Sequence, residues 1–179
     1  MGIKKYVAAT AVAVLAASAF AVAPASGTEV GNTQGCTPGF WKNHTTWSNY
    51  VQSPYTTSTT LSDLFAKRSP APAPYTFTPY AFPAELSSFN NMTMLQALQG
   101  GGGSDLTGAT KILVRAATAA YLNADTEIAY PYRRWTTGFG GLAPLQQLVT
   151  DAINTKDRAT ILALATQLDN ANNLGCPLS

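Results

Sequence analysis

The chain has 179 residues, the size of one domain with or without a tail. Charged residues make up 11% and apolar ones 46%, with a formal net charge of +2; soluble domains usually carry roughly 25% charge. So sparse a charge excludes the basic face with which a nucleic-acid binder neutralises phosphates. It also excludes a highly charged solvating protein, and the apolar content argues against general disorder.

Lys4 and Lys5 precede an uncharged apolar run over 6–23, and Ala21-Val22-Ala23 and Ala23-Pro24-Ala25 offer small-residue exits. A basic start, a short apolar run and small residues at the exit are the parts of a secretory signal peptide. Cleavage is expected after Ala25, because cutting after Ala23 would leave Pro24 first. The competing reading is a membrane anchor. Eighteen residues only just span a hydrocarbon core of about 30 Å, and ten of the first 25 are weakly hydrophobic alanines. Removal of 1–25 leaves 9 Lys+Arg against 9 Asp+Glu, a formally neutral chain. The expected product is extracellular and released, with no stable membrane anchor.

The mature chain reads as a flexible lead-in over 26–35 and a single helical domain over 36–179. Cys36-Thr37-Pro38-Gly39 is a tight cap, with Pro38 placed to start a helix. Phe40, His44, Trp47 and Val51 fall at offsets of a helix face, flanked by Trp41, with Pro54 as the stop. Thr60 to Asp63 opens a short helix ending near Arg68. Five prolines between 69 and 83, interleaved with Tyr75, Phe77, Tyr80 and Phe82, forbid helix there. An extended arm laying its rings over the core is expected, or a peptide ligand for an aromatic groove.

Residues 92–99 form a short helix, ended by four glycines that lack the Lys-Ser or Lys-Thr of a phosphate loop. Asp105 caps the strongest helix, Leu106–Ala124, whose expected stripe is Ile112, Leu113, Ala116, Ala117, Ala120 and Tyr121, with Lys111 and Arg115 outside. Its alanines predict close helix–helix approach. Tyr130-Pro131-Tyr132-Arg133-Arg134-Trp135 is an aromatic, basic connector. Pro144 opens a helix with Leu145, Leu148, Val149, Ala152 and Ile153 on one face. Thr155 is read as the cap of the last helix, which carries Ile161, Leu162, Leu164, Ala165 and Leu168 and stops before Gly175. The fold class is all-α: five or six helices with proline- and aromatic-rich irregular arms.

Cys36 and Cys176 are the only cysteines. In an exported chain an even pair near the two ends reads as a disulfide joining the termini. Its loop of about 140 residues sets an upper bound of roughly 5 kcal/mol on the stabilisation. A zinc site needs four ligands, and two Cys with one His and no CxxC supply too few.

Two landmarks carry a resemblance: CTPGFWKNH at 36–44, and the pairing of ILVRAATAAYLNA at 112–124 with the closing NNLGCPL. The chain resembles a family of exported, mostly actinobacterial hypothetical proteins in which the first motif begins the mature domain and the last closes it. The resemblance implies one extracellular domain and supplies no reaction.

His44, the only histidine, stands in sequence beside Trp41 and Trp47. These three are a candidate polar–aromatic binding spot, for a sugar ring for example; the alternative is a buried corner that serves the disulfide as a structural clamp. Tyr130, Tyr132, Arg133, Arg134 and Trp135 form a second candidate binding segment. No catalytic residue is assigned, since no G-x-S-x-G elbow surrounds a serine and the acids suit helix caps and surfaces. No metal and no cofactor is expected. The reading is a secreted structural or interaction module with an extracellular protein or glycan as partner and no nucleic acid. The alternative is a secreted hydrolase of an extracellular polymer such as a glycan. An interaction module displays rings such as Tyr75, Tyr80, Tyr130, Tyr132 and Trp135 as a patch; a hydrolase gathers them around a cleft with acids at its floor.

Overall fold

A computed structural model describes residues 31–178, so the signal-peptide reading and the first half of the lead-in lie outside the described residues. The described residues are mostly helical, with six α-helices, three short 3-10 turns and one two-stranded antiparallel sheet among them. The helices are α1 (Pro38–Asn43), α2 (Leu61–Leu64), α3 (Met94–Gln99), α4 (Leu106–Ala124), α5 (Leu145–Thr155) and α6 (Arg158–Asn172). The strands are β1 (Lys67–Arg68) and β2 (Phe77–Thr78). The expectation of an all-α chain thus fails at one place. Lys67 pairs with Thr78 and Arg68 with Phe77, which folds the proline arm back as a hairpin.

Helix α4 is the axis of the fold and starts at its sequence-predicted cap, with the Asp105 carboxylate accepting from the Gly108 N–H. It packs most extensively on α6 and also meets α1, α3 and α5. Every residue from Ala116 to Ala124 is buried, so the C-terminal half of α4 has no solvent face at all. The alanines allow neighbouring backbones to close in from all sides. Ile112, placed on the buried stripe from sequence, is only partly buried.

Two other expectations need correction. The 40–51 stretch is not one helix. Helix α1 ends at Asn43, and Trp47–Asn49 form a separate 3-10 turn. The expected face is also rotated: Trp41 is fully buried and His44 is exposed. Six residues make too few turns for periodicity to identify the inward face. The cap of α6 is Asp157, whose carboxylate accepts from the Thr160 N–H. Thr155 belongs to α5, and its hydroxyl accepts from the Asp157 N–H across the connecting turn.

The termini meet against the ends of α4 and α6. The Cys36–Cys176 disulfide is present, with Cα atoms 4.4 Å apart. Gly35 pairs with Gly175 in an isolated bridge, and a Cβ on Gly35 would lie 2.1 Å from the Ala171 carbonyl oxygen. Only glycine fits so close an approach. The lead-in, expected to be flexible, is tied along its last residues: the N–H groups of Thr33 and Gln34 donate to the Ala129 carbonyl.

Beneath the disulfide lies a buried amide pair. Asn123 Oδ1 accepts from the Cys36 N–H and from Trp41 Nε1, each at 3.0 Å. Its Nδ2 donates to the Cys36 carbonyl at 2.8 Å and to Asn172 Oδ1 at 2.9 Å. Asn172 Oδ1 also accepts from the Tyr130 hydroxyl at 2.8 Å, and its Nδ2 donates to the Ala116 carbonyl at 2.9 Å. Replacing Asn123 with Ala strands several buried polar groups, each worth about 1–3 kcal/mol. Asn123→Ala is therefore expected to lower stability by at least about 3 kcal/mol in denaturant titration, a larger loss than surface substitutions give.

Candidate functional site

The two candidate segments divide between scaffold and surface. Trp41 and Trp47 are scaffold: both are buried, and Trp47 Nε1 donates to the Trp41 carbonyl at 3.0 Å. His44 lies outside them. Its ring stacks on Phe40 at 4.1 Å between centroids, meets Tyr50 edge-on, and bonds the Phe40 carbonyl through Nδ1. The hydrogen bonds that serve the disulfide region come from Asn123 and Trp41, not from the imidazole. Truncating Trp41 or Trp47 to Ala is expected to cost about 3–5 kcal/mol. His44→Ala is expected to melt with the parent, within about 0.5 kcal/mol.

In the second segment Tyr130 is fully buried, and Tyr132 and Arg133 nearly so. The Arg133 guanidinium donates to the carbonyls of Tyr130 and Tyr132, holding the connector in shape. Burial pushes the hydroxyls of Tyr130 and Tyr121 well above the ordinary tyrosine range. A raised folded-state value means the neutral phenol is favoured by folding. Its stabilisation is complete below the unfolded value near 10 and is lost as pH rises through the folded value. The melting temperature is therefore expected to fall as pH rises past about 10, and Tyr130→Phe is expected to flatten that fall.

Arg134 and Trp135 face the other way, toward the hairpin. The Arg134 guanidinium lies 4.3 Å from the Trp135 ring centroid and 4.8 Å from that of Tyr55, and Nη2 donates to the Leu64 carbonyl at 2.9 Å. Burial lowers its pKa to about 10, which leaves it charged at neutral pH. Arg68, from β1, lies over Tyr75 at 4.5 Å and over Trp135 at 5.5 Å. Phe77, from β2, meets Trp135 at 5.6 Å. Trp135 thus touches two guanidinium groups and a second ring.

Around this stack run three open clefts. The first, about 600 Å³, lies between the hairpin and α5 and is lined by Lys67, Tyr80, Gln146, Gln147, Asp151 and Asn154, among others. The second, about 330 Å³, is lined by Tyr55, Asp63, Phe77, Arg134 and Trp135. The third, about 310 Å³, takes in Lys67, Arg68, Tyr75, Trp135 and the same two glutamines. Shared walls at Lys67, Pro79, Trp135, Gln146 and Gln147 join them into one band around the hairpin. Phe77 is 55% exposed and Tyr75 42%. Tyr80 reaches across the first cleft to donate to Asn154 Oδ1 at 2.8 Å. Burial and then the Asp151 charge raise its pKa to about 12.

Of the two candidate binding segments only Arg134 and Trp135 belong to this band, joined by Tyr75 and Tyr80 from the rings that an interaction module was expected to display. The hairpin partners Lys67, Arg68 and Phe77 and the α5 residues Gln146, Gln147, Asp151 and Asn154 were not singled out as a site. The signal for them was the alternation of prolines and rings over 69–83, which marks an arm without saying where it docks. Among the described residues no group of three or more His, Cys, Asp or Glu is placed to hold a metal, and no helix is long and apolar enough to cross a membrane. Comparison with known protein families, curated proteins and solved structures returns no match.

Proposed function

We propose that the chain is an extracellular binding module whose helical, disulfide-closed body presents the hairpin band to a polymer, a glycan in preference to a protein. The observation that carries this reading is Trp135, set between Arg68, Arg134 and Phe77 and shared by two of the clefts. Exposed rings offer flat apolar faces, and the amides of Gln146, Gln147 and Asn154 offer donors and acceptors to hydroxyl groups. A band of joined subsites suits a chain of repeating units better than one small molecule. A disulfide fits an oxidising compartment outside the cytoplasm, in keeping with the basic and apolar start of the sequence.

The hydrolase reading retains one supporting observation, Asp151 in the largest cleft beside Tyr80. Glycoside hydrolysis ordinarily requires two carboxylates flanking the scissile bond, and the other acid of the band, Asp63, lines a different cleft.

The test is retention of purified protein on immobilised polysaccharides. Phe77→Ala is expected to melt within about 0.5 kcal/mol of the parent, because its ring is largely in solvent, while losing retention. His44→Ala, away from the band, is expected to keep it. Retention of Phe77→Ala and Trp135→Ala equal to the parent's removes the band from the binding site. Release of reducing ends by the parent, abolished in Asp151→Asn, would establish the hydrolase instead.

A further inference from the structure

Charge is distributed unevenly over a chain with few charges to place. Among the described residues most of the acids are taken up locally, Asp151 on the wall of the first cleft being an exception. Asp105 and Asp157 cap helices, and Asp125 accepts from the backbone and hydroxyl of Ser53. Glu127 accepts from Gln52, and Glu85 pairs with Lys156 at 2.9 Å, the one ion pair among the described residues. The cations of the band have no such partner. Arg68 and Arg134 line different clefts that share Trp135, and neither meets a carboxylate within ion-pair distance. Of the five N–H donors of Arg134, one is used, by the Leu64 carbonyl, and Nε is buried with no hydrogen-bond partner. The Tyr55 hydroxyl, on the wall of the same cleft, is likewise buried and unpartnered. Burying a guanidinium without a counter-charge is costly. Arg134 is largely buried in this way and Arg68 partly so, and both line clefts that share Trp135, which leaves a place for an anion.

We infer that the hairpin band recognises a carboxylate-bearing polysaccharide, with Arg68 and Arg134 taking the carboxylates and the exposed rings and α5 amides taking the sugar units. This inference rests on the binding-module reading above and specifies its ligand. The planar fork of arginine matches a carboxylate in two-point geometry. Lys67, shared by the first and third clefts, extends the positive edge along the band. Asp63 and Asp151 line the second and first clefts, but the third cleft, with Lys67 and Arg68 on its wall, has no acid among its lining residues. A glycan is favoured over an acidic peptide because the band joins its cations to exposed rings and neutral amides, the groups that sugar faces and hydroxyls use.

The experiment measures affinity of the disulfide-intact protein for soluble uronate polymers (polygalacturonate, alginate and hyaluronate), for carboxyl-reduced polygalacturonate and for polyglutamate. The expected result is binding to at least one uronate polymer, weakened about tenfold or more in the carboxyl-reduced form, the equivalent of one charge-assisted hydrogen bond. The affinity should also fall as salt is raised. Arg68→Gln is expected to lose about tenfold on the uronate polymer and distinctly less on its reduced form. Arg134→Lys, which keeps the charge but not the fork, is expected to lose affinity too, and Arg68→Gln carries the test if that variant folds poorly. Equal binding to the charged and reduced polymers overturns the inference and leaves the binding module standing. Binding to polyglutamate alone overturns it in favour of an acidic protein partner. No binding to any polysaccharide overturns both readings.

Discussion

The amide of Asn123 is the point through which the Cys36 segment and the last helix are attached to the central helix. A carboxamide can accept two hydrogen bonds and donate two, and all four are used here: two accepted from Cys36 and Trp41, two donated to Cys36 and Asn172. Both polar groups of the Cys36 backbone are satisfied by this one side chain. In a low-dielectric interior such a network is strong when complete and costly when broken. It therefore selects one register for the N-terminal segment on α4, where an apolar contact would tolerate several. Asn172 repeats the device from α6, reaching Tyr130 and the Ala116 carbonyl.

The disulfide acts on the same junction by a different route. It limits the unfolded chain by closing a loop spanning 140 positions, whereas the amide pair specifies the folded geometry. Cys36 is buried and Cys176 exposed, so the bridge runs from the core to the surface at the spot where Gly35 presses on α6. The clefts at the hairpin and α5 include none of the residues of that junction on their walls. Trp41 of the CTPGFWKNH segment, the most conspicuous stretch of the sequence, and Trp47 just after it are thus buried scaffold, while the clefts and the exposed rings of Tyr75 and Phe77 lie elsewhere.

The scarcity of charge gives the remaining charges meaning. A carboxylate at a helix start satisfies orphan N–H groups and complements the helix dipole, and most acids of this chain are spent in such local duties. At the hairpin Arg134 uses one donor on the Leu64 carbonyl at the end of α2, and Arg68 meets aromatic rings. Arg133 is turned inward onto carbonyls of its own connector, while Arg134, one residue on, is turned toward the clefts. Adjacent identical residues thus serve framework and surface, which a composition-level reading of a basic, aromatic connector cannot separate.

What the sequence determined by itself was local and periodic. The start of α4 at Asp105 and its extent, the face of α5 built on Leu145, Val149, Ala152 and Ile153, the start of α2 after Thr60 and the pairing of the only two cysteines were all legible. Helix α2, expected to run to about Arg68, instead stops at Leu64 and gives way to β1. A cap and four turns of periodicity are information carried within one segment, and two cysteines leave one pairing. The inward face of α1, the hairpin at 67–78 and the assembly of Arg68, Phe77, Arg134 and Trp135 were decided only by the tertiary structure. Each depends on a partner outside its own segment: Asn123 for Trp41, Thr78 for Lys67, Trp135 for Phe77. A six-residue helix and two-residue strands hold too little local free energy to choose their own orientation, so the packing of distant residues chose it for them.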